Sequence, residues 1–266
     1  MVSLSPIQHL SLTANRQRLA RTACSRLSSP DARLVRPGHD HPGGDQHDRP
    51  LPEAAIFRSD GTGIADGFVG EDEPLLQARA EAERIGGSVP VSPLTGSVLR
   101  FLAAAINARA VVEIGTGCGT SGIWLLRGMR PGSVLTSVDT EPEHHRLARG
   151  AFVAAGFGSG RYRLITGRAL EVLPRLADSA YDLVFCDADE REYPEYLTAA
   201  VRLLRPGGIV AFDNALDPDE GSGMVSRDPD SATVSELREL VFADETLVPM
   251  LVPTGEGLLA AVKRAS

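Results

Sequence analysis

"VVEIGTGCGTSG", residues 111–122, is the stretch that decides the fold. An apolar run, Val111-Val112-Glu113-Ile114, breaks into alternating glycines at Gly115, Gly117 and Gly119 and then opens into "TSGIWLLRGM". A strand that turns through glycines into a helix is where a doubly wound α/β sheet binds a nucleotide-like ligand. The glycines let the chain turn tightly and let a ligand approach the main chain. Gly117 to Gly122 also fits GxGxxG, but that match starts three residues after the strand and is weak alone. A reading that begins earlier uses more residues. Glu113 precedes Gly115, and Asp139 closes the next apolar run about twenty residues on. An acid there accepts hydrogen bonds from ribose hydroxyls, in a dinucleotide or in S-adenosylmethionine (SAM). A pyrophosphate favours a helix N-terminus without nearby negative charge, whereas Glu113 at the loop mouth suits a cationic ligand such as SAM.

Outward from this loop, short β-rich runs alternate with helical ones. The pattern predicts strands at Ala110–Ile114, Val134–Asp139, Tyr162–Thr166, Leu183–Asp187 and Ile209–Phe212. Helices are expected between them, near 120–129, 141–155, 169–176 and 194–204. Continuous apolar strands separated by helices imply a parallel sheet covered on both faces. A helix near 231–243 and strands at 246–252 and 257–263 finish the chain. Upstream, Pro74–Ile85 reads as a helix stopped by Gly86-Gly87. "PVSPLTG" (90–96) reads as a loop leading to a helix at Ser97–Asn107.

The 266 residues suffice for one large domain or two small ones. No apolar stretch reaches the roughly 18 to 20 residues of a membrane helix. A net charge of −8 argues against a nucleic-acid partner held by phosphate contacts. Cys24, Cys118 and Cys186 have neither disulfide nor zinc spacing, which suits a reducing cytoplasm. Lys263 is the only lysine. Residues 1–55 lack sustained periodicity and are expected to be a disordered extension, or the product of a start codon called too far upstream, ahead of a domain at 56–266. Within them His39, His41 and His47 alternate with Asp40, Asp45 and Asp48, a composition read as a solvated tail before a metal tract. His144 and His145, after Asp139, are read as surface residues.

Six stretches complete the pattern: "VVEIGTGCGTSGIWLLRGM", "LTSVDTEPEHHRLAR", "LITGRALEVLPRL", "YDLVFCDADEREYPEYL", "LLRPGGIVAFDNAL" and "LVPTGEGLLAAVKR". In order and spacing they resemble the cation-dependent O-methyltransferases of the catechol and caffeoyl-CoA type, in a bacterial branch, over roughly residues 72–266. The resemblance implies a Rossmann-like, mostly parallel seven-stranded sheet with its last strand antiparallel, and a homodimer. It places Val91 and Ser121 near the methionine end of SAM, and Glu113, Gly115, Thr116, Gly117 and Gly119 along the loop. Asp139 would hold the ribose, Arg168 and Ala169 the adenine, and Asp187 and Asp189 would face the sulfonium.

The resemblance also implies a divalent cation, Mg²⁺ in the first place, on Asp187, Asp213 and Asn214. Hard cations take oxygen ligands of this kind, although Asp187 and Asp213 also read as polar strand ends. The chain departs from the family where Asp-Ala-Asp is followed by a lysine acting as general base. Here that position is Glu190, and Arg191 beside it stays protonated. Glu190 reads either as a base toward a hydroxyl the metal has acidified or as an acid at a helix start. A second departure is "ALDPDEGSGMVSRDPDS" (215–231), polar where relatives carry aromatic and glycine residues. Its Asp217, Asp219 and Glu220 read as a solvated loop before further ligands. The expected function is SAM-dependent O-methylation of a small catechol-like acceptor. The alternatives are a metal-independent methyltransferase and a SAM-binding protein with little catalysis.

Overall fold

Glycine and proline set most element boundaries. The computed structural model describes residues 69–216 and 229–265. Residues 1–68, with the His/Asp tract and the expected boundary near 55, lie outside the described residues, as do Asp217, Asp219 and Glu220. Helix α1 (Glu73–Ile85) has a proline in its first turn and ends at Gly86, whose φ of 69° suits glycine. Helix α2 spans Pro93–Ala105, four residues earlier than expected. Ser92 caps it, accepting a hydrogen bond from the Thr95 amide at 3.0 Å, and Pro93 sits in its first turn. Gly96 belongs inside this helix because the Trp124 indole fills the space a Cβ would need.

The sheet contains β1 (Ala110–Ile114), β2 (Val134–Asp139), β3 (Tyr162–Thr166), β4 (Tyr181–Cys186), β5 (Leu204–Phe212), β6 (Leu247–Val252) and β7 (Leu258–Lys263). Their order is β3-β2-β1-β4-β5-β7-β6, with β7 antiparallel to both neighbours. Between the strands run α3 (Thr120–Gly128), α4 (Pro142–Ala154), α5 (Ala169–Val172), α6 (Tyr193–Leu203) and α7 (Pro229–Ala243). Strand β4 starts two residues before the expected Leu183 and ends one short of Asp187, and two further elements differ from expectation. The helix expected over 169–176 tightens into a 3₁₀ turn at Leu173–Arg175, where Pro174 cannot continue the α-helical hydrogen bonds. Strand β5 begins at Leu204, not Ile209, because Pro206-Gly207-Gly208 is accommodated at an irregular register opposite Tyr181–Leu183.

Alternate side chains of each central strand feed opposite cores. Val111, Leu183 and Phe185 pack with Leu99, Ile123, Leu125 and Phe152 of α2, α3 and α4. Val112, Val184 and Cys186 pack with Tyr193, Leu197 and Leu237 of α6 and α7. Register then sets the functional rim. Ile114 pairs with both Val138 and Cys186, and Cys186 with Phe212. The residue after each is therefore level with the others: Gly115, Asp139, Asp187 and Asp213. Among the described residues no helix is long and apolar enough to cross a membrane.

Candidate active site

At this rim the strand ends open into a cavity of about 600 Å³. Of the residues singled out in the sequence, Val91, Gly115, Thr116, Gly117, Ser121, Asp139, Arg168, Ala169, Asp187, Asp189 and Asn214 line it. Glu113, Gly119, Glu190 and Asp213 lie outside that lining.

The glycine loop is held from two sides. Gly115 has φ +94°, and a Cβ there would collide with the main-chain carbonyl of Asp187 on the neighbouring strand. Gly119, at φ +93°, starts α3 with Ala148 and Phe152 at about 3.0 Å from where its Cβ would be. Asp139 then draws the loop in. Its Oδ2 accepts from the amides of Thr116 and Gly117, both at 3.0 Å, and its Oδ1 accepts from the Glu141 amide at 2.8 Å. His144 Nδ1 lies 3.0 Å from Oδ2.

Glu113 is not at the loop mouth. It is fully buried beneath the loop, where Ser121 donates to Oε1 at 2.7 Å and Ser137 to Oε2 at 2.5 Å. Burial pushes its carboxyl up to about 7; the two serine hydroxyls pull against that shift, and Asp139 adds to it. The period-2 reading identifies the strand but not how deep its penultimate side chain sits. The two histidines correct a second expectation. His145 is buried, 2.9 Å from Thr166 Oγ1 and 3.2 Å from Thr116 Oγ1, and His144 lines the cavity.

On the far side, main-chain bonds fix the acids. The Asp187 amide donates to Ile114 at 2.8 Å and the Asp213 amide to Cys186 at 3.0 Å. The buried Tyr193 hydroxyl donates to the Asp213 carbonyl at 3.0 Å, and Asn214 adopts φ 55°. Asp213 is 6% exposed, and its Oδ1 has no hydrogen-bond partner. Its carboxyl is pushed up to about 7 by burial; the Asn214 amide opposes the shift, while Glu256 and Glu190 add to it. Asp187 is raised well above the usual carboxylate range by burial, then by Asp213, Glu113, Glu190 and Glu256. Among the described residues no three His, Cys, Asp or Glu side chains gather as metal ligands, so the candidate set is two carboxylates and an amide. A buried, unpaired carboxylate oxygen among like charges fits a hard cation.

The profile of the O-methyltransferase family matches residues 70–264. This chain belongs to that family. Two proteins named "Putative O-methyltransferase" are similar. That of Mycolicibacterium vanbaalenii is 49% identical over 75% of this chain and 88% of its own. That of Mycobacterium tuberculosis H37Ra is 46% identical over 85% of this chain, more than residues 69–266 contain, and 98% of its own. Among solved structures, the O-methyltransferase TomG from Streptomyces achromogenes, involved in tomaymycin synthesis and determined with SAM, superposes with a TM-score of 0.69. It is 29% identical, over 78% of this chain and 96% of its own. The protein is thus a SAM-dependent O-methyltransferase.

Two features of the methyltransferase cavity, and a third beside its acids, carry no local sequence signal. Arg168 Nη2 donates to Glu192 Oε1 at 2.8 Å, and the Tyr196 hydroxyl to Glu192 Oε2 at 2.6 Å, tying α6 to the start of α5 at the wall. Ser88 and Pro90 also line the cavity. Glu256 arrives from the β6–β7 hairpin, which the Ala215 and Leu216 amides bind at 2.9 Å each through the Gly257 and Glu256 carbonyls.

Proposed function

We propose that this methyltransferase moves the SAM methyl onto a hydroxyl of a small catechol-like acceptor, with a divalent cation, Mg²⁺ in the first place, held by Asp187, Asp213 and Asn214. The observation that carries this reading is the unpaired Asp213 Oδ1, buried beside Asp187 at the strand ends. When bound, the cation would orient two vicinal hydroxyls and lower the pKa of one. Glu190 would take the hydroxyl proton, being the carboxylate at the position where relatives carry a lysine. The acceptor oxygen forms its bond to the methyl carbon as the carbon–sulfur bond breaks, leaving the thioether S-adenosylhomocysteine (SAH). The loop and Asp139 would hold the nucleoside so that methyl and oxygen meet in line, the main source of acceleration in such a transfer.

The test is transfer from labelled SAM to a panel of catechols with Mg²⁺ and with EDTA. Transfer abolished by EDTA is expected; transfer indifferent to EDTA removes the metal role. Glu190→Gln should shift and flatten the pH profile of transfer, and an unchanged profile would discard Glu190 as base. A cytoplasmic homodimer belongs to the same proposal. Exposed Val248, Met250 and Val262 on the terminal hairpin support the dimer, and light scattering tests it.

A further inference from the structure

His145 is buried inside a polar chain that links five elements and the glycine loop. Thr166 Oγ1 of β3 lies 2.9 Å from His145 Nδ1 on α4, and His145 Nε2 lies 3.2 Å from Thr116 Oγ1 of the glycine loop. Thr116 Oγ1 is 2.6 Å from Ser137 Oγ of β2, which donates to Glu113 Oε2 of β1 at 2.5 Å. The other oxygen of Glu113 accepts from Ser121, which lines the cavity.

Each hydroxyl has one proton to give, so the chain has a direction. A carboxylate on Glu113 only accepts. The Ser137 proton therefore points to Glu113, the Thr116 proton to Ser137, and Thr116 must accept from His145 Nε2–H. His145 then carries its proton on Nε2, and its bare Nδ1 accepts from Thr166. The Nδ1–H tautomer would turn Thr116 toward His145 and reverse the Ser137 link, which only a protonated Glu113 can match.

From this geometry we infer that His145 is a positioning residue for the methyl-donor site: its Nε2–H, relayed by Thr116 and Ser137, directs the chain that holds Glu113 as the acceptor for the cavity-wall hydroxyl of Ser121. Burial favours the neutral imidazole, against the pull of Asp139, with His144 and Arg149 also disfavouring the cation. Ser121 spends its proton on Glu113 and so presents a hydrogen-bond acceptor to the cavity. The inference rests on the SAM site alone and is independent of the metal and the acceptor.

The experiment is SAH binding by calorimetry, without metal or acceptor, combined with ¹⁵N NMR of His145 in the wild type. Above about pH 8, where the Glu113 carboxyl, pushed up to about 7, is ionised, the spectrum should show the Nε2–H tautomer. His145→Ala and Ser137→Ala should each weaken SAH about tenfold, and the double variant should be no weaker than Ser137→Ala alone, because both cut one chain. Losses that multiply in the double variant, or singles within about twofold of wild type, would overturn the inference. Should His145→Ala fail to fold, the wild-type spectrum decides: an Nδ1–H tautomer or an imidazolium refutes it.

Discussion

The two ends of the strand rim treat their acids differently. On the β1–β2 side, the oxygens of Glu113 and Asp139 are all engaged, by Ser121 and Ser137 in one case and by three loop amides in the other. On the β4–β5 side, Asp213 is equally buried, yet one oxygen has no partner and Glu190 and Glu256 add like charge. Burying a polar group without a hydrogen bond costs free energy, and most native groups avoid it. The β1–β2 side is thus preorganised by the protein itself, whereas on the β4–β5 side the protein leaves one buried carboxylate oxygen unsatisfied.

The substitution that most sharpens this contrast is Asp213→Asn. Methyl transfer is expected to fall on the order of 100-fold, with SAH affinity within about twofold of wild type, since no cofactor-side bond is touched. Thermal stability should rise as like charge is relieved. Labelled-methyl assays, calorimetry and melting curves check the three parts, and activity near wild type would erase the contrast. Gly115→Ala breaks both sides together. Its Cβ meets the Asp187 carbonyl at a φ of +94°, so a loss of about 3 kcal/mol in urea unfolding is expected, with weakened SAH binding.

Glu113→Gln separates burial from charge. The folded carboxyl titrates at about 7 against 4.5 when unperturbed. The folded state therefore keeps a proton that the unfolded chain releases. The stability this contributes is present below the unfolded pKa and is lost as pH rises through about 7. The full swing is on the order of 3 kcal/mol. Between about pH 5 and about pH 8, wild-type stability should decline more steeply than that of Glu113→Gln in urea titrations. Parallel curves would place the cost elsewhere.

The rim was legible in the sequence because strand period, glycine spacing and an acid at the ends of β2, β4 and β5 all report the same register. Strand β2 is read residue for residue, and Asp139, Asp187 and Asp213 follow from it. Depth and long-range arrival were not legible. Glu113 reads as a strand residue with no indication that Ser121 and Ser137 close over it. The fate of His145 was partly encoded: it shares a helical face with the buried Ala148 and Phe152, at i+3 and i+7. Neighbouring charged residues obscured that stripe. Glu256 reaches the site, and Glu192 its partner Arg168, only through tertiary contacts between distant segments. Over 215–231 the sequence itself departs from the family pattern, so the resemblance offers no guide there.

The smallest expected effect tests what preorganisation rests on. Arg168 pairs with Glu192 across the cavity wall, but its side chain is 65% exposed. An exposed pair of this kind is worth little, because water screens it and ordering a long side chain costs entropy. Arg168→Ala should therefore weaken SAH by no more than about threefold. Glu192→Gln should cost somewhat more, since the same carboxylate also accepts from Tyr196 at 2.6 Å. If Arg168→Ala instead matched the loss from His145→Ala, the cofactor side would owe its order to an exposed ion pair as much as to its buried chain. The contrast between a self-satisfied half and an unsatisfied half would then need redrawing around surface charge.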